Sequence, residues 1–189
     1  MLRVIAGERR GRRLRVPSGL RVRPALARVK ASLFDILISR GLVASEDVLD
    51  LFAGSGALGI EALSRGATSV LFVEQDRIAA RALRSNVVAA DVASRSEIVT
   101  QPVSRALARL VREGRTFDGV FVDPPYGTPW IAAGLPELGA GDLVHAGGWV
   151  AVHHHRRECP EREYGSLVLA VRRVIGDAGL AVYRRAPVA

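Results

Sequence analysis

The chain has 189 residues, of which 49% are hydrophobic and 24% charged, long enough to bury most of its apolar surface in a conventional core. That composition excludes a disordered or fibrous chain, and the single Cys159 excludes an intrachain disulfide and a cysteine zinc cluster, as expected of a protein in the reducing cytoplasm. No run of eighteen residues lacks a charge and no apolar signal stretch follows the first arginines, so no membrane segment is expected.

Basic residues number 27 against 19 acidic ones, and the excess sits at the N-terminus. Arg3, Arg9, Arg10, Arg12, Arg13, Arg15, Arg21, Arg23, Arg28 and Lys30 face only Glu8 within the first 30 residues, which leaves the rest of the chain nearly neutral. A cationic segment this localised is a polyanion-binding surface, and nucleic acid is the obvious polyanion. A solvated basic tail would have the same charge, but it would not need Leu2, Val4, Ile5, Leu14, Val16 and Val22 interleaved with the arginines. Their partial alternation predicts a small hairpin over residues 1–23 with Gly11 or Gly19 at its turns.

From Pro24 the period changes. Leu26, Val29, Leu33, Phe34 and Leu37 fall at helical spacing and Gly41 stands where a helix would end. Strand-like runs follow at Val48–Phe52, Ser69–Val73, Glu97–Val99, Val120–Val122 and Trp149–Val152, separated by helical patterns at Ala57–Ser64, Arg77–Ala90, Ser104–Glu113 and Ile131–Leu138. Leu167–Val174 and Leu180–Arg184 read as two antiparallel strands that close the sheet. The expectation is therefore an α/β domain over 24–189, with a mostly parallel seven-stranded sheet covered by helices on both faces and preceded by the basic hairpin.

Three segments carry chemistry. The first long strand runs into Asp50-Leu51-Phe52-Ala53-Gly54-Ser55-Gly56-Ala57-Leu58-Gly59, where glycines let the chain turn sharply from strand to helix and leave bare backbone for a ligand. The same three glycines fit a dinucleotide fingerprint; Asp50, an acid just before the loop that could face an ammonium group, separates the two readings. Glu74 ends the second strand, at the distance from the loop where an acid accepts from ribose hydroxyls. Asp123-Pro124-Pro125-Tyr126 ends the fourth, its two prolines holding a carboxylate, a carbonyl and an aromatic ring in an extended arrangement suited to a planar amine.

With Asp-Leu-Phe-Ala-Gly-Ser-Gly, Val73-Glu74 and Asp-Pro-Pro-Tyr in this order, the chain resembles a Rossmann-like class I S-adenosylmethionine-dependent methyltransferase acting on an exocyclic amine of a base. Ile5-Ala6-Gly7, Gly11-Arg12-Arg13-Leu14, Val16-Pro17, Arg23-Pro24, Arg28-Val29, Leu58 to Ala67 and Phe117 to Asp123 are similar to the RsmD-like bacterial methyltransferases, which modify guanine N2 in small-subunit ribosomal RNA. This resemblance runs from residue 1 to about 185.

It implies S-adenosylmethionine as cofactor, S-adenosylhomocysteine as product and no metal. Asp50, Phe52, Ala53, Gly54, Ser55, Gly56, Glu74, Gln75 and Val103 would hold the cofactor, Asp123, Pro124, Pro125 and Tyr126 would carry the transfer, and Arg3, Arg9, Arg10, Arg12, Arg13, Arg23 and Arg28 would bind nucleic acid. The implied partner is 16S ribosomal RNA in an assembling small subunit, met by a monomer, with residues 1–23 choosing the substrate. Ala25-Leu26-Ala27, Gln101-Pro102-Val103 and His153-His154-His155 depart from the family pattern, the histidines standing at a position more often acidic. Consecutive histidines in a strand point alternately, which disfavours one metal site. Alternatives are a DNA methyltransferase, at adenine N6 or less readily at cytosine C5 through Cys159, and a catalytically idle RNA-binding assembly factor.

Overall fold

The computed structural model describes residues 2–16, 24–44 and 46–186; Gly19, Val22, Arg23 and the side chain of Leu26 lie outside the described ones. β1 (Leu2–Arg3) and β2 (Arg13–Leu14) pair antiparallel, Leu2 opposite Leu14. Val4 N–H donates to Arg12 O at 3.0 Å, and Gly11, at φ +86°, donates to Val4 O at 3.0 Å.

The hairpin shares the main core. Leu2, Val4 and Leu14 are buried with Val29, Leu33, Phe34 and Leu37 of α1 (Pro24–Ile38) and with Ile60 and Leu63 of α2 (Ala57–Ser64). The fully buried Glu61 anchors it. Its carboxylate accepts from the Ile5 and Ala6 N–H groups at 2.8 and 3.0 Å and pairs with Lys30 and Arg65, each at 2.8 Å. A side chain at Gly7 would place its Cβ 1.8 Å from Ser64 O, so only glycine lets the hairpin approach α2 this closely.

β3 (Asp47–Leu51), β4 (Ser69–Val73), β5 (Ser96–Val99), β6 (Phe117–Val122), β7 (Val144–His155), β8 (Glu163–Tyr164), β9 (Leu167–Ile175) and β10 (Ala178–Arg185) form one sheet in the order β5-β4-β3-β6-β7-β10-β9-β8. The first five in that order are parallel and the last three are added antiparallel. The expected seven strands are all present, and the two-residue β8 adds an eighth at the edge.

Alternation along β3 explains why both faces need cover. Val48 joins the core under the hairpin, α1, α2 and α3 (Arg77–Ala89), whereas Leu49 and Leu51 face α4 (Val103–Arg112) and α5 (Trp130–Ala140). The strand order reverses between β3 and β6, and at such a switch point the carboxyl ends of two strands diverge to leave a crevice. Among the described residues, no helix is long and apolar enough to cross a membrane.

Candidate active site

β3 stops one residue earlier than its apolar run. Phe52 turns to φ +61° and packs its ring edge-on against Trp130, 5.1 Å between centroids. A bulky residue in the left-handed region is strained, and such strain concentrates at functional loops. Gly54 and Gly56 continue the turn at φ +56° and +83°, while a Cβ at Gly59 would lie 2.2 Å from the Phe72 ring; the third glycine lets α2 pack on β4.

Glu74 sits across the loop from Gly54. One carboxylate oxygen accepts the Gly54 N–H and the other the Asp76 N–H, both at 2.7 Å, and each retains a lone pair for a further donor. Asp76 in turn caps α3 through the Ile78 and Ala79 N–H groups. Gln75 is exposed beside Glu74, and Val103 is buried at the start of α4 on the same edge of the sheet. Gln101, at the end of β5, has a buried Nε2 with no partner among the described residues.

Asp50 is only 1% exposed, and its Oδ2 accepts one hydrogen bond, from Gly59 N–H at 2.9 Å. Burial pushes its carboxyl up to about 8 against the Gly59 hydrogen bond, and the charges of Asp123 and Glu74 push the same way. Three carboxyl groups thus converge on one crevice, which favours a cationic ligand group there.

Asp123 and Tyr126 meet on a residue absent from the sequence-derived site. His153, the tenth residue of β7, has Nδ1 2.7 Å from Asp123 Oδ1 and Nε2 2.8 Å from the Tyr126 hydroxyl. Its ring and that of His155 both lie edge-on to Tyr126, with centroids 5.5 and 5.4 Å away. Pro124 is buried between Asp123 and the exposed Pro125. Glu158 braces the far side, accepting His155 N–H at 2.7 Å and reaching Gly127 N–H at 3.4 Å.

His154 points to the other face, where its ring fills the space above Gly179 and burial lowers its proton affinity. Among the described residues no group of three or more His, Cys, Asp or Glu side chains could hold a metal ion. Cys159 is a free, exposed thiol.

The predicted nucleic-acid residues form a separate set. Arg3, Arg10, Arg12 and Arg13 are exposed on the hairpin and Arg28 on α1; Arg9 is partly occupied by an ion pair with Asp91 at 3.1 Å; Arg23 lies outside the described residues. Asn86 connects hairpin and glycine loop: its side chain accepts Arg15 N–H at 2.7 Å and donates to Arg15 O and Ser55 O, both at 2.8 Å.

The family described as "Conserved hypothetical protein 95" matches residues 2–184. Over 190 residues the chain is 34% identical to the "Putative rRNA methyltransferase YlbH" of Bacillus subtilis (strain 168), covering 97% of this chain and 99% of that one. It is 37% identical over 150 residues to ribosomal RNA small subunit methyltransferase D of Escherichia coli (strain K12), covering 79% of this chain and 70% of the relative. A solved hypothetical protein of Thermus thermophilus superposes with a TM-score of 0.83 at 34% identity over the whole of both chains. The chain belongs to this family of RsmD-like methyltransferases.

Proposed function

We propose that this protein methylates the exocyclic N2 amine of a guanine in 16S ribosomal RNA with S-adenosylmethionine. The observation that carries the reading is Asp123-Pro124-Pro125-Tyr126 at the end of β6, beside the glycine loop and Glu74 at the switch point. S-adenosylmethionine supplies an electrophilic sulfonium methyl.

The residues fit that cofactor. Glu74 keeps acceptor capacity for ribose hydroxyls, and Asp50 has a carboxylate oxygen with no partner among the described residues for an ammonium group. Gln101, where the family often has an acid, offers the edge of an adenine ring an amide nitrogen that has no partner among the described residues.

A guanine N2 lone pair is delocalised into the ring, so the amine must be held for its lone pair to attack. Asp123 and the Pro124 carbonyl accept its two N–H bonds, while Tyr126 stacks on the base. Positioning of this kind supplies much of the rate in a reaction whose electrophile is already activated. The proton lost from the methylated amine leaves toward the Asp123 carboxylate, which already accepts one of its N–H bonds.

A stacked base must first be extruded, at a cost of about a few kcal/mol. Phosphate contacts to the hairpin arginines offset it. Arg77, Arg81 and Arg84, exposed on α3 at i, i+4 and i+7, extend that cationic surface from the cleft that Arg15 and Arg84 share to the mouth of the crevice. In this reading the enzyme works as a cytoplasmic monomer on an assembling small subunit, and residues 1–23 select the substrate.

The test is transfer of labelled methyl to small subunits lacking the modification, to naked 16S RNA and to duplex DNA, with Asp123→Ala in parallel. Label confined to ribosomal substrate and lost in Asp123→Ala supports the proposal. Label in DNA would keep the catalytic assignment and overturn the substrate; no cofactor binding would leave an idle assembly factor.

A further inference from the structure

His153 occupies a position that belongs to neither the glycine loop nor the Asp-Pro-Pro-Tyr tetrad, yet it touches both polar side chains of that tetrad. Parallel pairing of β6 with β7 puts Val122 opposite Val152, so the next residue on each strand, Asp123 and His153, are neighbours at the carboxyl edge. The backbone of two packed strands fixes this contact.

The chemistry of the ring assigns its hydrogens. Two acceptors cannot face each other at 2.7 Å, so Nδ1 carries the hydrogen and donates to an ionised Asp123 Oδ1. In the neutral ring Nε2 is then the acceptor, and at 2.8 Å it takes the hydrogen of the Tyr126 hydroxyl. Asp123 is left with Oδ2, which has no protein partner among the described residues, and it cannot rotate without breaking the Nδ1 hydrogen bond.

We infer that His153 is a positioning residue for methyl transfer, holding Asp123 so that Oδ2 faces the incoming amine and tying the Tyr126 ring to the same frame. The inference rests on the proposed amine-methylating reading of Asp123. The imidazole does not touch the reacting atoms; it acts through the carboxylate, as second partners of catalytic groups do. His155 and Glu158 close the same side of the tetrad, whereas His154, on the opposite face, has no part in it.

Two substitutions separate the arms. In His153→Asn the amide nitrogen replaces Nδ1 and keeps the Asp123 arm; in His153→Gln it stands near Nε2 and keeps only the Tyr126 arm. His153→Ala removes both. Expected is a kcat lowered about 10- to 100-fold in His153→Ala and His153→Gln, and within about 3-fold of wild type in His153→Asn, since small misplacements of reacting groups cost on that scale. Cofactor affinity by calorimetry should stay within about 2-fold in all three, because none of the cofactor residues is touched.

A long-range proton–nitrogen NMR spectrum should show the Nδ1–H tautomer of His153 in the wild-type protein. Unchanged kcat in His153→Ala, better activity in Gln than in Asn, equal loss of turnover and cofactor affinity, or an Nε2–H tautomer would each overturn the assignment. Should the wild-type enzyme label DNA and not ribosomal RNA, the functional reading fails, and the order of the variants on DNA together with the tautomer still decides the role of His153.

Discussion

Glu61 and Asp50 are carboxylates buried to nearly the same degree, 0% and 1% exposed, one on α2 and the other on β3, and their surroundings could hardly differ more. Glu61 accepts from two backbone N–H groups, a lysine and an arginine. Burial pushes its proton affinity up, but Lys30, the Ile5 N–H and Arg65 together outweigh burial and hold it ionised. Asp50 has one N–H and two acidic neighbours, and is pushed up to about 8. A carboxylate with every partner supplied by the protein fastens a structure; one left short of cations beside other acids marks a place for a ligand.

The contrast is broken most violently at Glu61. Glu61→Ala leaves Lys30 buried without its carboxylate and the hairpin N–H groups unpaired, and should cost about 3–5 kcal/mol of stability, as breaking buried pairs does. Denaturant unfolding would show it; a loss below about 1 kcal/mol, the level of an exposed pair, would mean that the network is dispensable. Deleting the hairpin outright would expose the same defect, so its part in substrate choice is better probed with surface charges.

Asp50 sharpens the comparison through pH. Its carboxyl rises from an ordinary 3.8 to about 8, so between those values the folded chain holds a proton that the unfolded chain has lost. The contribution is therefore present in full below the unfolded value and is lost as pH rises through the folded one. Glu61, shifted down, contributes above its unfolded value and loses that contribution on acidification. Melting of the ligand-free protein between about pH 5 and 8 should thus decline more steeply in the wild type than in Asp50→Asn. Calorimetry near neutral pH in buffers of different ionisation enthalpy should also detect proton release when S-adenosylmethionine binds, as an ammonium group draws Asp50 into its ionised form. Asp50→Asn should abolish that release; an undiminished release would place the titrating group elsewhere.

The smallest expected effect lies on the hairpin surface. Arg10→Ala, Arg12→Ala and Arg13→Ala combined should leave cofactor binding and melting unchanged. Each lost phosphate contact should lower the slope of log affinity against log salt by about 0.7 to 0.9. An unchanged slope would remove these arginines from the interface.

Much of this is legible in the residues because the physics is local. β4 and α2 fall where their apolar patterns end, and the glycine loop and prolines announce the site. The apolar pattern marks β7 only over Trp149–Val152, since His145, Gly147, Gly148 and the three histidines hide a strand that neighbouring strands impose from Val144 to His155. Phe52 reads as strand by composition and is turned out by the loop. His153 needs the β6–β7 register, and Glu61, inside an apolar helical run, needs the path of the hairpin; both depend on contacts that no local pattern encodes.

The central claim is best met by digesting ribosomal RNA labelled by the wild-type enzyme to nucleosides and identifying the one that carries the methyl group. The account predicts N2-methylguanosine from the small-subunit RNA and none from the Asp123→Ala reaction. Label on adenine N6, on a ring carbon, or undiminished in Asp123→Ala would contradict it.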